Sequence, residues 1–449
     1  MQSTQEASAV PIRSRGRLLK ILGVGFGLAV IVGNTIGAGI LRQPGEIAAR
    51  LPNVWMSLGV WVAGGLYALL GSISIAELGA TLPLSGGQYV FARRALGDYA
   101  GFVVGWSDWI STCGATAYIS LVIAEFASAL APALKGRDAL VALIIAATFA
   151  LLQWRGIREG SGVQNITSLL KAMIYISLVA ACFALGGRGF HSIADSSLST
   201  TGIPPLAAFV VALQGVIYTY DGWTGVIYFS EEVRDPARDI PRAMFGGVLS
   251  VIAIYLLVNL AVLYVLPISE VAGKDLALGA AAQEIFGSHG DAIFRSLVIL
   301  AMFSAVNACH LMATRVLFAM SRDGLFAKRA ADVNRGGTPA IALAMSAGVA
   351  VAFILSGTVN QILAVVSFFF VANYTVSFIS LFVLRRREPE RERPYRAWGY
   401  PSTTALSLLG SIAFLAGAIK SDTQNSLYAL AVLAASYPVY YLLKRFSRR

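Results

Sequence analysis

Charge is scarce in this chain of 449 residues. Asp, Glu, Lys and Arg together make up 13% of it, about half the roughly 25% of a soluble globular protein. With 57% of residues hydrophobic, no packed core could absorb the apolar sequence, which argues against a soluble enzyme and against intrinsic disorder. Histidine and cysteine are scarce too, three of each. No CxxC, HExxH or His–Cys cluster occurs, so no metal site and no cofactor is expected. Cys113, Cys182 and Cys309 all fall inside apolar stretches, where they read as small buried hydrophobes and not as loop disulfides. The scattered histidines supply no nucleophile–base constellation for a membrane enzyme, and a channel's filter loop or ring of like charges is missing. The ten-residue alternating strands of a membrane barrel are missing as well. No cleavable leader is expected, because residues 1–20 are polar and basic and the first apolar run is too long for one.

What is present is helix-length apolar sequence. A transmembrane helix needs about 20 mostly apolar residues. Twelve candidate spans run over 19–49, 54–82, 99–130, 139–153, 163–185, 205–229, 243–266, 293–320, 340–355, 362–384, 405–419 and 427–443. The formal net charge of +11 then reads as a topology signal and not as a nucleic-acid footprint. With the N-terminus inside, the even-numbered connections and both tails hold 25 of the 35 basic residues and the outside segments hold 7. Lys and Arg concentrate in cytoplasmic loops, so both termini are expected in the cytoplasm and the protein in a cell membrane, that of a bacterial inner membrane.

Glycine-rich polar interruptions mark where spans should break. In lipid, irregular backbone survives only where it lines a cavity or is buried in protein. Span 1 carries Gly33-Asn34-Thr35-Ile36-Gly37-Ala38-Gly39, and a half-helix restarting near Ala38 would aim its N–H groups at an anion such as a carboxylate. Span 6 carries Gln214-Gly215 and then Tyr218-Thr219-Tyr220-Asp221-Gly222-Trp223. Close helix packing through small residues at Gly33 and Gly37 is the plainer explanation for span 1 alone. Breaks in the first and sixth spans together suit two inverted five-helix repeats with a site between them. The organisation expected is a cytoplasmic tail (1–17), repeat one (18–186), an extracellular connection (187–204), repeat two (205–385), a cytoplasmic loop (386–404), spans 11 and 12 (405–443) and a short tail (444–449).

The motifs resemble those of amino acid–polyamine–organocation transporters. GNTIGAGILRQPG at 33–45 is similar to that family's G-x-x-I-G-[SA]-G-I-F…P-G. Glu77-Leu78-Gly79 followed by Pro83-Leu84-Ser85-Gly86-Gly87-Gln88-Tyr89 resembles E-L-x-x-x-x-P-x-S-G-G-x-Y. The stretch from Glu231 to Arg242 resembles E-E-x-x-N-P-x-R-x-I-P-R-A. Tyr220-Asp221-Gly222-Trp223 places the nearest branch at the L-type amino acid transporters and their bacterial relatives. Ala38 stands where Ser is usual and Asp235 where Asn is usual. The resemblance implies an all-α LeuT-like 5+5 inverted repeat with discontinuous helices 1 and 6, holding an amino acid between them. It also implies that no disulfide-linked heavy chain is needed, since 131–138 has no cysteine. An amino-acid sensor in a transporter fold and a polyamine or amine transporter are the alternatives; the short termini offer no signalling domain.

Residue roles follow from the same resemblance. Backbone N–H groups around Gly37, Ala38 and Gly39 would take an α-carboxylate. Carbonyls near Thr35, Tyr218 and Asp221 would take the α-ammonium, with Gly222 in the second break. Tyr218 would gate the substrate or merely pack against it. Lys171, deep in span 5, would either snorkel or replace a coupling sodium ion by touching carbonyls near Gly33 and the Ser304 hydroxyl, which implies sodium-independent exchange or proton coupling. Asp221 reads equally as a half-helix N-cap or as a counter-charge, and Asn307 as pocket lining or as an interhelical hydrogen bond. Asp108 is expected to be structural and partnered more than a proton relay, and His310 a core residue. Glu77 is expected to anchor the fold within reach of water, and the Arg385–Arg396 run to be a solvated loop against anionic lipid.

Overall fold

Backbone that cannot reach water must satisfy its own N–H and C=O groups, so long apolar runs become helices. The computed structural model describes residues 18–187, 205–356 and 359–447. The expected N-terminal tail, most of the connection after span 5 (Arg188 included) and the last two arginines lie outside them. In chain order the α-helices of more than eight residues are α1 (Val24–Thr35), α2 (Gly39–Arg50), α3 (Val54–Thr81), α4 (Gln88–Leu96), α5 (Asp98–Leu130), α6 (Asp138–Arg155), α7 (Ile157–Leu185), α8 (Pro205–Thr219) and α9 (Pro236–Val265). Then follow α10 (Ala277–Phe286), α11 (Gly290–Arg322), α12 (Ala340–Ser356), α13 (Val359–Arg387), α14 (Ser402–Ser421) and α15 (Thr423–Ser447). Among the described residues no strand forms, and extended pairing is limited to the bridges Leu22–Val233 and Val333–Pro339.

Nine helical stretches among the described residues are long and apolar enough to cross a membrane. The pair α1 and α2, bent by 47° at its break, makes a tenth, while α8 and α12 are apolar but shorter. Burial runs opposite to that of a water-soluble protein. On α7, Ile166, Leu169, Met173 and Ile176 are 49–69% exposed at helical spacing, while Gln164, Ser168, Lys171 and Tyr175 face inward. Apolar side chains pointing out and polar ones pointing in is the arrangement a hydrocarbon surrounding selects.

Two buried acidic residues fasten the end of the bundle that carries Arg93, Arg315 and Arg385, called here the basic end. Glu77 does not reach water; it is 1% exposed. Arg385 donates from both Nε, at 2.9 Å, and Nη2. Arg393 Nε lies 3.2 Å away and the Ala397 amide donates at 2.6 Å. Two arginines of the run from Arg385 to Arg396 thus clamp this carboxylate, while most of the run is exposed, as expected of a solvated loop. Arg387 bonds the Ala95 carbonyl at 2.8 Å and Arg391 bonds Glu388 at 2.9 Å, and Arg386, Arg387 and Arg396 are exposed. The second acid is Glu232, gripped at 3.0 Å by both Nε and Nη2 of Arg315, whose guanidinium also lies over the Phe229 ring. Beside it Leu22 exchanges backbone hydrogen bonds of 2.9 and 2.8 Å with Glu232 and Arg234. The loop after α8 is thus tied both to the entry of α1 and to α11.

Removing one partner of a buried pair strands the other, at a cost of about 3–5 kcal/mol, whereas an exposed i,i+4 pair contributes under ~1 kcal/mol. Arg315→Ala is expected to lower the unfolding midpoint in detergent sharply. Arg50→Ala, which breaks the exposed pair with Glu46, should leave that midpoint nearly unchanged.

Candidate substrate site at two helix breaks

The first break lies between α1 and α2. Helix α1 stops at Thr35, residues 36–38 are non-helical, and α2 restarts at Gly39 with Ala38 as a cap that has no side chain to offer. The first N–H groups of α2 therefore have no side-chain partner there, and the helix dipole adds positive potential at that point. The end of α1 has the opposite need, because its last carbonyls lack intrahelical donors. Lys171 supplies them. Its Nζ donates at 2.7 Å to the Gly33 carbonyl and also to the Ile36 carbonyl. The side chain does not snorkel; it is fully buried. Ser304 is not itself a partner of the ammonium. Its hydroxyl donates at 2.9 Å to Ala301 and, at 3.4 Å, to the same Gly33 carbonyl. Gly33 has to be glycine here, since a Cβ would run into Gln164 and Ser168.

The second break is less regular than expected. Helix α8 ends at Thr219, residues 220–224 form turns, and only a five-residue 3₁₀ segment, Gly225–Phe229, follows. No helix begins at Gly222, so Asp221 is not an N-cap. Its carboxylate instead accepts a hydrogen bond from the Tyr374 hydroxyl of α13. Gly222 sits at φ +108°, and a Cβ there would lie 2.8 Å from Asn34 Nδ2 and 2.9 Å from the Thr35 amide. Both the backbone angle and the close approach of the two breaks demand glycine. Tyr255 of α9 joins them, its hydroxyl 2.8 Å from the Thr35 carbonyl and 2.9 Å from that of Thr219. Sequence reasoning missed this residue, although a tyrosine in an otherwise apolar run is a polar handle that has to be satisfied.

Between the breaks lies a cavity of about 70 Å³. Thr35, Gly37, Ala38, Gly39, Tyr218 and Asp221 all line it, together with Thr112 and Tyr118 of α5, Cys309 and Met312 of α11 and Phe370 of α13. Thr35 Oγ1 is buried without a partner, a polar atom left for a ligand to satisfy. The space beside Gly37 is open. Asn307 is not part of this wall. It bonds Gln153, the Gln164 Oε1 at 2.8 Å and the Gly160 carbonyl at 3.1 Å, an interhelical network between α6, α7 and α11. Gly222 backs the break without lining the cavity. His310 is 1% exposed in the core. A larger space of about 570 Å³ opens at the other end, among Arg42, Glu125, Lys274 and Arg295. Arg42, placed by sequence within span 1, pairs there with Glu125 at 3.1 Å. Solvated ion pairs line that space, whereas free helix-end dipoles face the smaller one, which makes the smaller one the better binding site.

An all-helical membrane-type bundle with a small cavity where two helices lose their backbone pairing is an arrangement that transporters use. The chain belongs to the amino acid permease family, whose model matches residues 27–437. It is similar to the serine/threonine exchanger SteT of Bacillus subtilis, 28% identical over 95% of this chain and 98% of the relative. It is also similar to the human b(0,+)-type amino acid transporter 1, 27% identical over 95% and 88%, and to the mouse Asc-type amino acid transporter 1, 27% identical over 85% and 73%. The protein is accordingly an amino acid permease, a transporter and not an enzyme.

Gly222→Ala should strain the backbone by about 1–3 kcal/mol and push the breaks apart, abolishing the rise in melting temperature that a bound amino acid gives. Gly37→Ala meets no atom, so the fold should keep its melting temperature while the filled cavity loses most of that ligand-induced rise. Thermal unfolding with and without amino acids checks both.

Proposed function

We propose that the protein is a sodium-independent amino acid exchanger with twelve spans in two inverted five-helix repeats, working by alternating access. The observation that carries this reading is Lys171. Its amino group holds the Gly33 and Ile36 carbonyls, so a built-in side chain does at the break what a bound metal cation would otherwise do. The twelve spans are the ten candidates together with α8 and α12, and the repeats pair the α1–α2 break with that after α8. The basic end faces the cytoplasm, as do both termini, in a bacterial inner membrane. The loop between α5 and α6 has no cysteine to bond a heavy chain.

In this reading the substrate carboxylate lies against the N–H groups of Gly37, Ala38 and Gly39. Its ammonium approaches the Asp221 carboxylate and the Thr35 hydroxyl. The Thr35 carbonyl, already engaged by Tyr255, contributes only its second lone pair. Tyr218 closes the cavity wall. The small volume and Ala38 favour small neutral or cationic amino acids, and the exchanger named among the relatives favours exchange over proton symport. The Asp221 carboxylate also gives some support to an amine or polyamine cargo, which would bind without using the α2 N-terminus.

Counterflow in proteoliposomes preloaded with an amino acid tests the reading. Rates should match in sodium and in choline salts, and small α-amino acids should compete while amines lacking a carboxylate should not. Lys171→Met leaves two carbonyls unsatisfied, each costing about 1–3 kcal/mol, and should reduce counterflow at least tenfold. Strong sodium stimulation of the intact protein overturns sodium independence. Binding without counterflow of any amino acid overturns exchange.

A further inference from the structure

Asp108 has no part in the site above, yet it is a carboxylic acid deep in a membrane helix. It is 0% exposed, ten residues into α5 from the basic end, one turn short of the cavity residue Thr112. Its Oδ1 accepts a hydrogen bond of 2.8 Å from the Tyr228 hydroxyl, and its Oδ2 has no partner. None of the described ion pairs includes it. The ionisable groups on neighbouring elements are already committed. Tyr89 of α4 donates to Asp323, Arg93 pairs with Asp98 and Asp323, Arg315 of α11 is locked on Glu232, and Tyr374 of α13 donates to Asp221. Lys444 of α15 bonds Tyr440. Cys309 and His310 of α11 are buried. An ionised carboxylate with one neutral donor, one bare oxygen and no cation is not a state the interior of a membrane protein sustains.

Tyr228 belongs to the 3₁₀ segment that continues span 6, whereas Asp108 belongs to span 3. The bond between them therefore crosses from one span to the other just on the basic-end side of the cavity. We propose that Asp108 is a proton-binding site built into the cytoplasmic gate: it carries a proton while Tyr228 covers it and releases that proton to water when span 6 withdraws. The inference rests on the alternating-access reading for the motion of span 6. The closed gate binds one proton more than the open gate, so opening becomes easier as pH rises, by up to about tenfold per pH unit between the proton affinities of the two states.

Two measurements test this in the full-length protein. The first is the infrared spectrum of the purified transporter at neutral pH. A protonated-carboxyl band that Asp108→Asn removes is expected, and a band unchanged in that variant overturns the proposal whatever the transport result. The second is counterflow at equal pH on both sides, stepped from about pH 5.5 to about pH 7.5. The wild-type rate should climb with pH more steeply than that of Asp108→Asn. Tyr228→Phe, which strips a donor that favours the ionised form, should shift the wild-type profile to higher pH, whereas a purely structural bond would scale the rate equally at every pH. Superimposable profiles for the wild type and Asp108→Asn overturn the gate while leaving exchange intact. Absence of counterflow in the wild type removes the exchange reading and with it the gate, leaving only the proton on Asp108 for the infrared band to decide.

Discussion

A single ammonium group caps the broken end of the first helix. Ending a helix inside a membrane exposes carbonyls to a medium that offers no donors, so a break in the glycine-rich segment 33–39 needs donors from another helix. Lys171 provides those donors from a helix 135 residues or more away in sequence. Once the end of α1 is held, the start of α2 is free to present its N–H groups elsewhere, and the cavity exists because of that division. The other features of the site adapt to it. Gly33 makes room beside the lysine, Gly222 lets the second break approach the first, and the Tyr255 hydroxyl spans the carbonyls of both.

Much of this was legible in the sequence because its signals are local. A lysine within an apolar run, glycines clustered around Asn34-Thr35, and tyrosines flanking Asp221 can each be read within a few residues. The helix class follows from span length in the same way. What escaped the sequence depends on partners far apart along the chain. Nothing near Glu77 shows that Arg385 and Arg393 will bury it, or near Glu232 that Arg315 will. The resemblance left Asn307 between pocket lining and an interhelical hydrogen bond, and the structure shows the second. Asn307 faces Gln153 and Gln164 because one turn of a helix decides which polar side chain meets the ligand and which meets a neighbour. The second break does not restart as an α-helix: turns at 220–224 lead into the 3₁₀ segment Gly225–Phe229.

Polar groups in this protein divide by depth. The middle of the bundle holds lone polar residues matched to backbone atoms, such as Lys171 and Tyr255. The basic end holds paired charges with bidentate geometry, which fix loops onto helix ends and resist shear. The opposite end holds looser, half-exposed pairs such as Arg42 with Glu125. The half-helix α2 joins the two, with Ile40, Leu41 and Ile47 buried in the core and Arg42 and Arg50 in pairs that water can reach.

The clamp on Glu77 also constrains how the chain is made. Its arginine partner Arg385 lies 308 residues downstream, so at about 5–20 residues per second the ribosome needs on the order of 15–60 s to deliver it. For that interval α3 is already synthesised with a carboxylate near its end and no guanidinium to meet it. The nascent protein must keep that end close to the aqueous face or shelter it within the insertion machinery. The pairing with Arg385 waits for α13 to emerge, which makes docking of α13 on α3 a late step in biogenesis.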